Sequence, residues 1–256
     1  MNADWARQGS WAVRMDWGPA GAQVLAPGSA VVVVVDVLSF STAVSVAVEA
    51  GTRVLPCPWH DERADRMATA HHAPRAVARS KVSARQPWSL SPAALRRAPA
   101  PERLVLPSPN GSAISAAVTA APIVAACLRN AAAVAHWIRV RGWGTVDQPV
   151  TVIAAGESWP GQQILRPAIE DWLGAGAVVS ALARLGAGPL SPEAAAARAC
   201  HDGIADLPAL IRDCASGREL AEMGFAEDVD IALEIDSSTV VPLLSEGAFA
   251  DAAGTR

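Results

Sequence analysis

The sequence predicts an α/β protein with three layers, α/β/α, built on a largely parallel or mixed central sheet. Three observations carry that expectation. Val31–Val35 is five valines in a row closed by Asp36, the pattern of a strand buried on both faces. A short turn with serines follows, then small and branched apolar residues over 42–50, a stop at Gly51 and a second apolar run at Arg53–Cys57. Together these read as a parallel strand–helix–strand unit with a right-handed crossover. The same strand–turn–helix rhythm returns three more times further along the chain.

Taken in order, residues 10–17 alternate well enough for an opening edge strand, followed by a loop of glycine and proline. After the first unit, 61–72 has the spacing of an amphipathic helix and 75–78 that of a short strand. Residues 80–101 are irregular, with a short helix expected at Pro92–Arg97. A strand at 103–106, the turn PSPNGS and a helix at 113–120 come next. They are followed by a strand at 123–127, a turn at 128–130 and a helix at Ala131–Val140. Val150–Ala154 is the last strand of the series. A long loop, 155–166, leads from it to a helix at 167–185 that places Pro167 at its first position. Residues 192–214 and 217–223 read as helices, and 231–235 and 240–244 as closing strands. Nothing between Val31 and Leu244 has the composition of a linker. One domain is therefore expected over 10–246, with 247–256 a fraying tail.

Composition narrows the class. Hydrophobic residues make up 51% of the chain and mean hydropathy is +0.23, ample for a core. No apolar run approaches the roughly 18–20 residues of a membrane span, and the first residues lack the apolar stretch of a signal peptide. A cytoplasmic protein without a membrane partner is expected. Cys57, Cys127, Cys200 and Cys214 form no paired motif, which argues against a zinc site or a disulfide framework. Net charge is −4, and 20 arginines stand against the single Lys81. No basic cluster interleaved with aromatics occurs, so nucleic acid is excluded as a partner.

The polar residues just past the strands are the candidates for chemistry. Asp36, Ser39, Ser41 and Thr42 follow the first valine strand; Ser108, Asn110, Gly111 and Ser112 follow the strand at 103–106. Arg129 and Asn130 follow the next, and Glu157 the last. Each lies beside a helix N-terminus, where free N–H groups favour an anion. Two carboxylates, two Asn amides and several hydroxyls suit a hard, oxygen-liganded cation such as Mg²⁺ together with a phosphate. Each hydroxyl or amide taken singly is also an ordinary helix cap; their convergence is what marks a site. Glu170 and Asp171 sit in a first helical turn, where the dipole alone favours acids. Neighbours on a helix point about 100° apart, so at most one of the two is expected to face the pocket.

Other constellations fail. Residues 174–188 are rich in glycine without the G-x-G-x-x-G spacing, which disfavours a dinucleotide-dependent oxidoreductase. Residues 156–160, GESWP, miss the G-x-S-x-G nucleophile elbow by their last residue. There is no phosphate-loop lysine, and the five histidines lack metal-ligand spacing.

Five blocks carry a resemblance. VVVDVLSFSTAVSVAVEAG, LPSPNGSA, LRNAAAVA, AAGESWPGQQILRPAIEDWLGAGAVV and GRELAEMGFAEDVDIALEIDSSTVVPLL occur in that order. Together, over roughly 31–244, they resemble the 2-phosphosulfolactate phosphatase (ComB-like) family. The resemblance implies an α/β/α, Mg²⁺-dependent acid phosphatase that removes phosphate from 2-phosphosulfolactate on the route to coenzyme M. It implies that Asp36 binds the metal or attacks phosphorus. Glu157 with Glu170 or Asp171 would complete the metal site or perform acid–base work. Asn110, Gly111 and Ser112 would hold phosphate oxygens, with Ser39, Ser41, Thr42, Arg129, Asn130 and Arg166 around the substrate. The partner implied is a small phosphorylated acid, and a homodimer is compatible with the reading.

Departures from the family pattern matter. The first family block reads D-V-L-R-A-[ST]-T, and here Ser39 stands for the arginine and Phe40 for the alanine. Ser108-Pro109 precedes the Asn-Gly turn where the family has threonines, and Gly-Asn-Ser-Pro has become Ser89-Leu90-Ser91-Pro92. Losing that arginine removes a bidentate partner for phosphate or sulfonate, which Arg79, Arg129 or Arg166 would have to replace. Weak activity on 2-phosphosulfolactate itself is expected for that reason. A second expectation follows from the same change: a non-catalytic small-anion binding or regulatory protein that keeps the fold.

Overall fold

The computed structural model describes residues 4–159, 161–162 and 164–253. The apolar runs line up as β1 (Val13–Trp17), β2 (Val31–Val35), β3 (Arg53–Cys57), β4 (Arg103–Pro107), β5 (Ile123–Ala126) and β6 (Val150–Ala154). A two-stranded ribbon, β7 (Glu157–Ser158) with β8 (Leu165–Arg166), stands apart from them. Two late strands, β9 (Pro242–Ser245) and β10 (Ala248–Asp251), complete an eight-stranded sheet in the order β1-β6-β2-β5-β9-β10-β3-β4. The first four in that order are mutually parallel, and the β9–β10 hairpin joins its neighbours in antiparallel fashion.

The helices are α1 (Gly18–Leu25), α2 (Phe40–Glu49), α3 (Glu62–Ala70), α4 (Pro92–Arg97), α5 (Gly111–Ala117), α6 (Ala131–Val140), α7 (Ile169–Arg184), α8 (Pro192–Gly203), α9 (Leu207–Asp213), α10 (Ala215–Glu222) and α11 (Ala226–Ala232). The all-valine strand makes sense from its two faces. Successive strand residues point to opposite sides. Val31, Val33 and Val35 feed one core with Val134 and Ile138 of α6 and Val178 of α7. Val32 and Val34 feed the other with Leu25 of α1, Val44 of α2 and Ile114 of α5. The result is the expected α/β/α layering. Among the described residues no helix is long and apolar enough to cross a membrane.

Several local expectations are corrected. The loop expected after β1 is α1, where Pro19 occupies an early helical position that needs no N–H. Pro167 lies before α7 rather than in it: Ala168 is extended and the helix begins at Ile169. The segment 75–78 makes isolated bridges and no regular strand. The helix expected over 192–214 breaks after Gly203 and restarts at Leu207, where the Asp206 carboxylate caps the new N-terminus. Residues 231–235 do not form a strand, because Ile231 and Ala232 close α11. The tail expected to fray is in the sheet over Ala248–Asp251, with Phe249 fully buried; residues 254–256 lie outside the described residues.

The largest correction concerns topology. β2 and β3 are not adjacent parallel strands. Between them lie β5, β9 and β10, and the pairings run parallel once and antiparallel three times, so β2 and β3 are opposed. Strand–helix–strand is legible in a local pattern, whereas which strand fills the next place in a sheet is decided by residues nearly two hundred positions away.

Candidate active site

Asp36 ends β2 and is 4% exposed. Its Oδ1 accepts from Phe40 N (2.9 Å), and its Oδ2 accepts from Gly111 N (3.0 Å). One carboxylate therefore ties the first turn of α2 to the start of α5. The strands that lead into those helices are five places apart in the sheet. They meet because α5 folds back over β2 and packs against α1 and α2. Glycine is required at 111, since a Cβ there would collide with the Phe40 ring and lie 3.0 Å from Asp36 Oδ2. Gly111→Ala should destabilise the protein by about 1–3 kcal/mol, the scale of overpacking. It should also cost phosphate release more than stability; melting temperature and turnover measured together check this.

Three more carboxylates surround Asp36. Asp171, 3% exposed, accepts from Val37 N (2.7 Å) and Gly156 N (2.8 Å), stapling the end of β2 to the turn after β6. Gly156 takes a positive φ of 68° to make that turn. Glu170, 2% exposed, accepts at Oε2 from the Cys214 thiol (3.4 Å). Glu157 Oε2 accepts from Asn110 Nδ2 (2.9 Å). Both members of the Glu170–Asp171 pair are thus buried, and neither lines the cleft beside Glu157. The start of α7 packs against β2 and β6 on the side of these two acids, while Ile169 on its other side is exposed.

Crowding of negative charge in a buried place leaves its mark. Burial first, and then Glu170, raise the Asp36 carboxyl to about 6 against the pull of its two backbone N–H donors and of Arg79. Burial and then Asp36 push Glu157 up to about 7. Asp171 is raised well above the usual carboxylate range by burial, Asp36 and Glu170. Burial and the Glu170 carboxylate raise the Cys214 thiol to about 12.

A cavity of about 400 Å³ opens above this group, walled by Pro58, Pro109, Asn110, Ala155, Glu157 and Leu165. Glu157 and Asn110 face it. Arg166 pairs with Glu157 across the β7–β8 ribbon, draws its pKa down, and donates from Nη2 to Ser216 Oγ (3.3 Å).

Other candidates have structural duties. Ser41 Oγ donates to Val34 O and accepts from Asp36 N, and Thr42 Oγ1 donates to Val37 O. Ser112 Oγ donates to Leu106 O. Asn130 accepts at Oδ1 from Cys127 N and donates to Ala125 O and Val240 O. All four are fully buried. Arg129 is a buried clamp on Ser45, Glu49 and Glu234, away from Asp36. These hydroxyls and the Asn130 amide are consumed by the backbone of tight turns, which is the default use of such residues.

Ser39 differs from these: it is bonded to an arginine from another part of the chain. Its Oγ accepts from Arg79 Nη2 (2.7 Å), and Arg79 also bonds Leu90 O and pairs through Nε with Asp228 Oδ2 (3.1 Å). A cation missing from the chain position of Ser39 is supplied in space by Arg79. Asp228 is a residue that sequence reasoning overlooked. Fully buried, it accepts from Arg79, Ser91 Oγ (2.5 Å) and Ala93 N (3.1 Å). Within the block GFAEDVDIALEID five acids look alike in sequence, and only the structure singles out Asp228 as the buried one.

Fold and site together define an α/β/α protein whose buried carboxylates sit under a small polar cleft with an arginine alongside. The chain belongs to the 2-phosphosulpholactate phosphatase family, whose model matches residues 22–247. A curated protein of Deinococcus radiodurans, "Probable 2-phosphosulfolactate phosphatase", is 29% identical over 147 residues, or 57% of each chain. The match thus spans little more than half of that relative's length.

Proposed function

We propose that this protein is a Mg²⁺-dependent phosphoric monoester hydrolase acting on a small phosphorylated acid of the 2-phosphosulfolactate kind. The observation that carries the reading is Glu157 together with Asp36. Glu157 lies at the mouth of a cleft, and the buried Asp36 raises its pKa to about 7. A carboxyl that keeps its proton near neutrality suits the protonation of a leaving alkoxide. Family membership supports the same chemistry.

The donor set supports a hard cation: the buried carboxylates of Asp36 and Asp171. Among the described residues no group of three His, Cys, Asp or Glu side chains is gathered to cage a metal. Mg²⁺ does not need one, since it commonly takes one or two carboxylates and completes its shell with water and substrate phosphate. Asp36 and Asp171 would hold it, each already oriented by two backbone N–H groups, which leaves Glu157 to keep its proton. When bound, such an ion supplies charge neutralisation for the phosphoryl oxygens. Asn110 orients the Glu157 carboxyl by donating to its Oε2. Asp36 fixes the floor of the cleft by holding α2 and α5 together.

Phosphate release from a panel of phosphorylated acids, with Mg²⁺ and with chelator, tests the proposal. Release that depends on Mg²⁺ is expected. Binding of phosphorylated acids without release under any condition would favour the non-catalytic anion-binding reading instead.

A further inference from the structure

Beside the cleft over Glu157 lies a second cavity of about 480 Å³, lined by His60, Arg75, Arg79, Lys81, Leu90 and Met223 among others. The two are bordered by neighbouring residues of the same segments. Pro58 and Pro109 border the first, while His60 and Pro107, on the same two turns, border the second. Ser39, three residues from Asp36, is bonded to the arginine that lines the second cavity. Asp36 is thus tied to the Asn110 turn through the Gly111 N–H and lies three residues from Ser39, which holds Arg79.

Charge separates the two cavities sharply. Three cationic side chains, Arg75, Arg79 and Lys81, line the second, and no carboxylate does. The counter-charges stand behind: Arg75 pairs with Asp65, and Arg79 with the buried Asp228. Neither carboxylate reaches the lining. Lys81, the chain's single lysine, makes no ion pair among the described residues. Arg79 has two of its nitrogens tied and is stacked 5.7 Å from the Phe225 ring centroid, so its guanidinium is held in place. His60 is pushed below its ordinary pKa by burial and by Arg75, as a positive field requires.

We propose that this cavity is the subsite for the second acidic group of the substrate, a carboxylate or sulfonate, with Arg79 and Lys81 as the cations that select it. The proposal rests on the phosphatase reading and adds to it the group that determines specificity. A substrate spanning both cavities places its phosphate over Asp36 and Glu157 and its acid under the 79–81 turn. Arginine in a fixed fork and lysine as a mobile point charge divide the work of orientation and attraction.

The test uses Lys81→Gln, which leaves the Arg79–Asp228 pair intact, with Lys81→Arg as the charge-restoring control. Steady-state kcat/KM is measured for 2-phosphosulfolactate, 2-phospholactate and glycerol 2-phosphate. Lys81→Gln should lower the preference for an acid-bearing ester over glycerol 2-phosphate about tenfold, the value of one charge-assisted contact, and Lys81→Arg should restore most of it. A fall between the two acids assigns the subsite to the sulfonate; a fall between phospholactate and glycerol phosphate assigns it to the carboxylate. Ratios unchanged within twofold overturn the proposal. Calorimetric binding of 3-sulfolactate to wild type and Lys81→Gln is the arm that needs no turnover. If wild type hydrolyses none of the esters, the phosphatase reading fails. Weaker sulfolactate binding by Lys81→Gln would then still support the subsite, and equal or absent binding in both forms would overturn it.

Discussion

Asp36→Asn should fold and lose nearly all turnover, with kcat/KM down by about a thousandfold or more, the scale of losing a metal-binding or charge-stabilising carboxylate. Volume is almost unchanged, but the two carboxylate oxygens accept from two different N–H groups, Phe40 and Gly111. Asparagine has one acceptor, and its amide N–H₂ must face the other donor. The link between α2 and α5 is loosened beside the cleft proposed to bind substrate. Stability carries a separate signature. The carboxyl of Asp36 is raised to about 6 by burial, so the folded state holds its proton more tightly than the unfolded chain does. A raised carboxylate favours folding most at low pH, and that contribution is lost as pH climbs through the window from about 4 to about 6. The variant should lack this part of the slope in a plot of stability against pH. Wild-type phosphate release by the variant would reduce Asp36 to a helix cap.

Glu157→Gln should remove a limb from the pH profile. Burial and the Asp36 charge hold the Glu157 carboxyl protonated up to about pH 7. As the proton donor to the leaving group it is active below that value, so kcat/KM of the wild type should fall as pH rises through 7. Glutamine keeps the acceptor for Asn110 Nδ2 but donates no ionisable proton. The rate should drop by about 10²–10⁴ and become flat across that range. The same change removes a charge that the fold disfavours, so the variant should melt higher than wild type above pH 7. A variant whose profile still bends at 7 would place the titrating group elsewhere.

Much of this was readable from residues alone, for identifiable reasons. Val31–Val35 announces a strand buried on both faces because no other element tolerates such a run, and Asp36 at its end is conspicuous. The Asn110-Gly111 turn is legible because Gly in that place has a steric purpose, contact with Phe40. The roles of Ser41, Thr42, Ser112 and Asn130 were not legible, since a hydroxyl that binds substrate and one that bonds the backbone of its own turn look alike in sequence. Arg129 and Arg79 show the limit most directly. Both are arginines at plausible spacing, yet one is spent on Glu49 and Glu234 while the other reaches Ser39 from forty residues away. Long-range partners of that kind, like the placement of β9 and β10 in the sheet, leave no local pattern.

The position of the β9–β10 hairpin has a consequence for the order of events during synthesis. It seals the gap between β5 and β3 through the pairs Val124–Leu243 and Phe249–Val54. Until residues 242–251 have been made, the nascent chain carries two half-sheets, each with an open edge liable to wrong partners. The hairpin also delivers Phe249, which packs edge-on against Phe40 at 6.0 Å between ring centroids. Phe40 is the residue whose amide holds Asp36. The turn that carries Asp36 is therefore buttressed from β10, so a ribosome-bound chain lacking that strand should have most of its helices and no ordered Asp36 turn.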